Sequence, residues 1–199
     1  TSSVGTDTIH AIDLLEDYYG ANADTELIGC SVFATEHSVM TMSGPDGEFD
    51  TFKRLITEIY PNGIVSIVSD SFDFWQVITD FLPRLKTEIM TRSGGYIVDK
   101  VTIRPDSGDP VKIIAGDPDA PVGSPEYKGA VECLYEIFGG TMTPKGYRQL
   151  DSHIGLILGD GVILQRCEAI LRRLKDKGFA ATNVVYGVGS YSTQCVSRD

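Results

Sequence analysis

Arg104 and Asp106 stand two residues apart in KVTIRPDSGDP (100–110), where an apolar run gives way to residues that can only turn. Arginine offers a planar fork to a phosphate, a carboxylate or an aromatic face. Asp106, like Asp70 in IVSIVSD (64–70) and Asp160 in LGDG (158–161), can accept hydrogens from sugar hydroxyls or hold Mg2+ through water. His37 in ATEHS (34–38) can shuttle a proton or act as a nucleophile. The glycines of GVGSY (187–191) allow main-chain N–H groups to approach an anion closely. Together these groups suit a phosphorylated sugar.

Five apolar segments must carry them. LIGCSVFAT (27–35), IVSIVSD (64–70), the run near 100–104, HIGLILGDG (153–161) and NVVYGVGS (183–190) read as strands, the first as a buried one. Helices are expected at 6–20 with Thr6 as N-cap and Gly20 as stop, and at 48–60 with Phe49, Phe52, Leu55, Ile56 and Ile59 on one face. Further helices are expected over 72–90, broken or kinked at Pro83, over 126–140 and over 162–178, the last ending in Lys, Arg and Gly178. Residues 116–125 read as a loop and TMTPKGYRQL (141–150) as a small hairpin or excursion. The alternation of strand and helix, with strands apolar throughout, predicts one α/β domain over 1–199 whose parallel sheet is covered on both faces. Every strand ends in a polar or glycine-bearing group, and carboxyl ends of parallel strands gather on one rim.

The bulk numbers narrow the class. With a net charge of −11 the chain does not suit general binding to nucleic acid or anionic membranes. No apolar run approaches the roughly 20 residues a membrane span needs, and no basic-then-apolar leader opens the chain. Cys30, Cys133, Cys167 and Cys195 form no CxxC pair and read as reduced, partly buried cytosolic thiols. The chain opens without Met and stops just after a glycine-bearing strand, which suggests part of a longer protein.

Six ordered motifs, GTDTI (5–9), ATEHS (34–38), SIVSDSFD (66–73), IRPDSGDP (103–110), LGDGV (158–162) and GVGSY…SRD (187–199), resemble the nicotinamide phosphoribosyltransferases of the type II phosphoribosyltransferase class, in their bacterial or phage form. The resemblance implies an incomplete TIM-like barrel and a transferase that joins nicotinamide to phosphoribosyl pyrophosphate (PRPP), releasing pyrophosphate, for NAD biosynthesis. It implies Mg2+, ATP as an optional coupling substrate, a cytoplasmic location and a homodimer for the full-length protein.

The resemblance also assigns roles. Asp7 matches the acceptor for the nicotinamide carboxamide, His37 the residue phosphorylated by ATP, and Arg104 the group against nicotinamide and ribose-phosphate. Asp106 matches a ribose or metal group and, with His37 and Asp70, a catalytic one. Asp160 with Gly159 matches the ribose-hydroxyl site, Gly189 and Ser190 the phosphate clamp, and Arg198 a phosphate-binding arginine. Ser66 and Asp70 sit where the family lines its pocket, and Asp70 and Asp106 are the metal candidates. Taken alone, each has a plainer reading: a dipole acid for Asp7, a structural histidine for His37, a turn-capping ion pair for Arg104 and Asp106, an Asp-Gly turn for Asp160, a solvated Arg198. His10 and His153 match no motif and read as structural. The rival functions are nicotinate phosphoribosyltransferase, which Asp7 disfavours, and a non-catalytic phosphosugar-binding fragment. The resemblance covers less than the family's usual length, so residues 1–199 alone are expected to turn over little substrate.

Overall fold

β-Branched runs bounded by glycine and proline become the strands of a parallel sheet, and the longer amphipathic stretches between them become its crossovers. The computed structural model describes residues 5–6, 8–95 and 98–189. The chain divides into two compact units, one up to Phe33 and one from Ala34 onward.

In the first unit, helix α1 (Ile9–Tyr19) ends at Gly20, whose φ of 68° supplies the left-handed stop. Its N-cap is Thr8, which makes no side-chain cap; the expected cap, Thr6, instead accepts from the Thr8 N–H at 3.1 Å. The run expected as one buried strand over 27–35 is split. Cys30 bridges to Gly5, and only β1 (Phe33–Ala34) is strand, with both residues exposed.

The second unit holds α2 (His37–Met40), α3 (Gly44–Arg54) and β2 (Ile64–Val68), followed by α4 (Phe74–Gln76), α5 (Leu82–Arg84), α6 (Lys86–Met90) and β3 (Lys100–Arg104). Next come α7 (Pro110–Ala115), α8 (Pro125–Lys128), α9 (Ala130–Phe138) and the antiparallel hairpin β4 (Gly140–Met142) and β5 (Arg148–Leu150). The chain then runs through β6 (Ile154–Leu158), α10 (Leu164–Asp176) and β7 (Val184–Tyr186). Within the second unit β2, β3, β6 and β7 pair in parallel in that order. Among the described residues no helix is long and apolar enough to cross a membrane.

Two expected helices are interrupted for steric reasons. The stretch around Pro83 alternates short α segments with a π turn at Val77–Phe81, because proline withdraws a donor from the ladder. The helix expected over 126–140 breaks at Gly129, with φ 81°, where any Cβ would collide with the Gly116 backbone at the end of α7. Lys177 closes this junction by donating to Lys128 O at 2.6 Å and to Glu132 at 2.8 Å.

β6 and β7 are apolar as expected, β2 carries one serine, and β3 is two-faced. Val65 and Ile67, Val101 and Ile103, Ile154 and Leu156, and Val184 pair across the sheet and belong to one buried core with Phe52, Ile78, Leu82, Leu134 and Ile170. The opposite face carries Ser66, Thr102 and Gly155 in register, with Lys100 and Arg104 at the two ends of β3. β3 alternates strictly, K-V-T-I-R, so its polar side chains fall on one side. A groove of about 260 Å3 opens on that face beside Lys100, Thr102 and Gly155.

Candidate functional site

Parallel pairing brings the carboxyl ends of β2, β3 and β6 to one rim, and the residues leaving those strands interlock. Ser69 extends the pairing of β2 with β3 by donating its N–H to Arg104 O at 3.0 Å. The chain then presents Asp70, whose Oδ2 accepts from Asp106 N at 2.8 Å, Ser107 N at 2.7 Å and the Ser107 hydroxyl. The Pro105–Gly108 turn after β3 is therefore wrapped around a carboxylate that belongs to β2. Proline at 105 suits the turn, since it has no N–H to leave unpaired.

Glu36 and His37 open α2 on the other side. Glu36 stands at the N-cap but makes no side-chain cap. Its Oε2 instead meets Arg104 NH2 at 3.2 Å. The His37 Nδ1 lies 3.0 Å from Ser71 Oγ. Its Nε2 faces two carboxylates, Asp70 Oδ1 at 3.8 Å and Asp106 Oδ2 at 3.7 Å. The other oxygen of Asp106 is 3.9 Å from Arg104 Nε. The histidine thus has one nitrogen toward a hydroxyl and the other toward two carboxylates.

Asp160 follows β6 between Gly159 and Gly161 and lines a small cleft with Pro105, Asp106, Ser107 and Arg166. Gly159 lies beside Arg104: a Cβ built on it would be 3.8 Å from Arg104 Cδ. Gly187, leaving β7, donates to Leu158 O at 2.8 Å and packs against Gly159. Arg104, Asp106 and Asp160 therefore share one rim, together with His37 and Asp70. Ser66 lies deeper on the same face, two residues back along the sheet from Arg104, with its hydroxyl buried and unpartnered. Gly189 is exposed beyond β7. Asp7, Ser190 and Arg198 lie outside the described residues.

Two atoms at this rim are buried without a hydrogen-bond partner, Asp70 Oδ1 and Arg104 Nε. A buried carboxylate oxygen left unpaired carries a substantial desolvation cost, so it marks a place where a cation, water or substrate group belongs. Asp70 and Asp106 fit a magnesium ion in this sense. Mg2+ is usually held by one or two carboxylates while water and substrate oxygens complete its shell. Among the described residues no group of three or more His, Cys, Asp or Glu is arranged to hold a metal unaided.

Several participants escaped the sequence reading. Ser71 and Ser107 lie inside motifs already singled out, so adjacency was their only signal. Glu36 is adjacent to His37 but 68 residues from its partner Arg104. Glu48 on α3 is 1 % exposed with Oε1 unpartnered, and its carboxyl is pushed up to about 7, first by burial, then by the charges of Asp73 and Asp70. Nothing in its immediate sequence distinguishes it from a surface acid. Cys30, Cys133 and Cys167 are free thiols, burial pushes Cys133 up to about 11, and Cys195 lies outside the described residues.

The whole chain, residues 1–199, matches the nicotinate phosphoribosyltransferase (NAPRTase) family. It is 54 % identical to a nicotinamide phosphoribosyltransferase of Acinetobacter baylyi, over 100 % of this chain and 39 % of the relative. A nicotinamide phosphoribosyltransferase of Mycoplasma pneumoniae is 40 % identical over 91 % of this chain and 40 % of its own length. One from Xanthomonas campestris is 36 % identical over 98 % of this chain and 37 % of its own. The chain thus spans about two-fifths of the length of the curated relatives it matches.

Proposed function

Because the chain belongs to the nicotinate phosphoribosyltransferase (NAPRTase) family, we propose that its rim is the phosphoribosyl site of a nicotinamide phosphoribosyltransferase. The reaction joins nicotinamide to PRPP and gives nicotinamide mononucleotide and pyrophosphate. One observation carries this reading: Arg104, Asp106, Asp70 and His37 lock together at the ends of β2 and β3, with Asp160 beside them and polar atoms left unspent.

The chemistry is a displacement at the anomeric carbon. As the bond to pyrophosphate lengthens, positive charge grows on the sugar. Asp106 and Asp160, which line one cleft, are proposed to stabilise that charge and to accept hydrogen bonds from ribose hydroxyls. Arg104, paired with Glu36, is proposed to meet the nicotinamide and the ribose-phosphate. Asp70 holds the Asp106 turn by accepting three hydrogen bonds on Oδ2, and its Oδ1 lies 3.8 Å from His37 Nε2. Mg2+, held by Asp70 and Asp106, would neutralise the leaving pyrophosphate. The ring nitrogen of nicotinamide attacks with its own lone pair, so no base is needed to deprotonate it.

His37 is the proposed acceptor of the ATP γ-phosphoryl group. The P–O bond to ADP breaks, a P–N bond forms, and water later returns free histidine and inorganic phosphate. Ser71 and the two carboxylates would hold the ring for that transfer. Asp7 is proposed to select the carboxamide over nicotinate, and Ser190, Gly189 and Arg198 to complete phosphate binding. The sheet is proposed to form part of a TIM-like barrel in a cytoplasmic homodimer.

The test is to supply the intact protein with nicotinamide, PRPP and Mg2+ and to measure nicotinamide mononucleotide. Equal competition by nicotinate would replace the amide reading with the acid one, and Asp7→Asn would then change little. Tight PRPP binding without product would leave a phosphosugar-binding module.

A further inference from the structure

Arg166 is the third residue of α10, a 13-residue helix whose first turn contains no acid and whose N-cap, Ile163, contributes no side-chain cap. A cation there opposes the helix dipole, which favours negative charge at its start. Nor does Arg166 answer a neighbouring acid: among the described residues it forms no ion pair. Helix stability therefore does not account for the residue.

Its contacts point elsewhere. The half-buried guanidinium turns back over the β6–α10 turn and donates from NH1 to Gly161 O at 2.5 Å. Gly161 has φ of 54°, and a Cβ on it would collide with the same NH1. The glycine suits the left-handed turn, and the guanidinium lies over it. Between β6 and this clasp stands Asp160, and Arg166 lines the same cleft as Asp160, Asp106 and Ser107. One donor of the fork is used on the carbonyl, and the remaining charge borders the cleft.

We propose that Arg166 is a positioning residue that fixes the Gly159–Asp160–Gly161 turn, and with it the Asp160 carboxylate, against the Pro105–Gly108 turn. The assignment rests on the phosphoribosyl reading of this rim and adds to it a residue from the helix behind the site. A turn pinned at one carbonyl loses its alternatives, so the carboxylate meets the ribose without first being ordered.

The experiment uses the intact protein with Arg166→Gln and Arg166→Lys. Amide exchange at residues 160–162 reads the turn without reference to activity. Steady-state kinetics read KM for PRPP and nicotinamide separately. In R166Q the turn amides exchange faster, KM for PRPP rises about tenfold, KM for nicotinamide stays within about twofold, and the melting temperature stays within about 2 °C. R166K, which can still donate to the Gly161 carbonyl, recovers most of both readouts and keeps the test alive if R166Q folds poorly. Unchanged exchange in R166Q overturns the proposal. So does faster exchange with an unchanged KM, which leaves a structural clasp only. A wild-type protein that makes no nicotinamide mononucleotide defeats the phosphoribosyl reading instead, and the exchange data then still decide whether Arg166 holds the turn.

Discussion

The two ends of β3 carry the same residue types and use them differently. Where the strand begins, Arg92 is 5 % exposed and spends its fork on main-chain carbonyls, NH1 on Ile56 O at 2.7 Å and NH2 on Gly63 O at 2.9 Å. Nearby Asp99 uses both oxygens, Oδ1 on the N–H groups of Gly63 and Gly95, Oδ2 again on Gly95. Where the strand ends, Arg104 meets Glu36 and faces Asp106, and Asp70 loads one oxygen with three donors while burying the other with none. Both arginines keep a buried Nε without a partner, so that atom does not separate the two ends. The carboxylates do. A closed set of hydrogen bonds holds loops; a set with an unspent buried oxygen is arranged around something still to come.

The largest expected effect breaks the comparison at its arginines. In the intact protein Arg104→Ala should lower kcat/KM by about 10²–10³, the range found for loss of a preorganised electrostatic contact. Its melting temperature should stay near wild type, because Arg104 supports no backbone carbonyl. Arg92→Ala should do the reverse, destabilising by about 3 kcal/mol as two carbonyls lose a buried charged donor, with KM unchanged in the fraction that folds. Kinetics and urea denaturation on the pair decide it. Equal catalytic loss in both would erase the distinction between the ends.

Next come the carboxylates. Asp70→Ala removes the anchor of the Pro105–Gly108 turn and should cost about 2–3 kcal/mol together with most of the turnover. Asp70→Asn keeps an acceptor for the turn amides and should keep most of the stability. It removes the negative charge proposed for metal and substrate, so turnover should stay low and need more Mg2+. Recovery of activity in Asp70→Asn at ordinary Mg2+ would reduce Asp70 to a loop anchor, like Asp99.

Only the site end of this contrast was legible in the chain itself; nothing in the sequence singled out Arg92 or Asp99. The β-branched cores of β2, β3 and β6 marked the parallel strands, and the turn-forming residues after them marked the rim, because both signals are local. The hairpin at 140–150 was legible for the same reason. What stayed hidden depends on distant partners. Gly129 breaks a helix only because Gly116 lies against it. Glu36 leaves its own helix end for an arginine 68 residues on. The split of the 27–35 run follows from Cys30 pairing with Gly5 rather than with the sheet. Asp7, Ser190 and Arg198, read from motifs, lie outside the described residues, so their part in the site rests on the family alone.

The smallest effect is one of pH, and it sharpens the comparison because the two ends should respond with opposite sign. Asp99 is held below its ordinary value of 3.8, first by the Gly63 N–H and then by that of Gly95. Its contribution is present above that value and is lost as pH falls through the lower folded one. Glu48, behind the other end, behaves the other way. Burial, then the charges of Asp73 and Asp70, raise it from 4.5 to about 7. The folded protein therefore binds this proton more tightly than the unfolded chain, and stability falls as pH climbs from 4.5 toward 7, then levels. Glu48→Gln removes the titration, so it should be more stable than wild type at pH 8 by at least about 1.4 kcal/mol, the worth of one pKa unit, and lose that advantage near pH 5. Asp73→Asn tests the cause. Asp73 caps α4 by accepting from Trp75 N and Gln76 N, and asparagine can keep those bonds while removing the charge. It should move the Glu48 transition to lower pH without abolishing it. Urea denaturation across pH 4–9 reads both variants. A stability difference between Glu48→Gln and wild type that does not change with pH would mean that Glu48 stays ionised when buried, against the raised value.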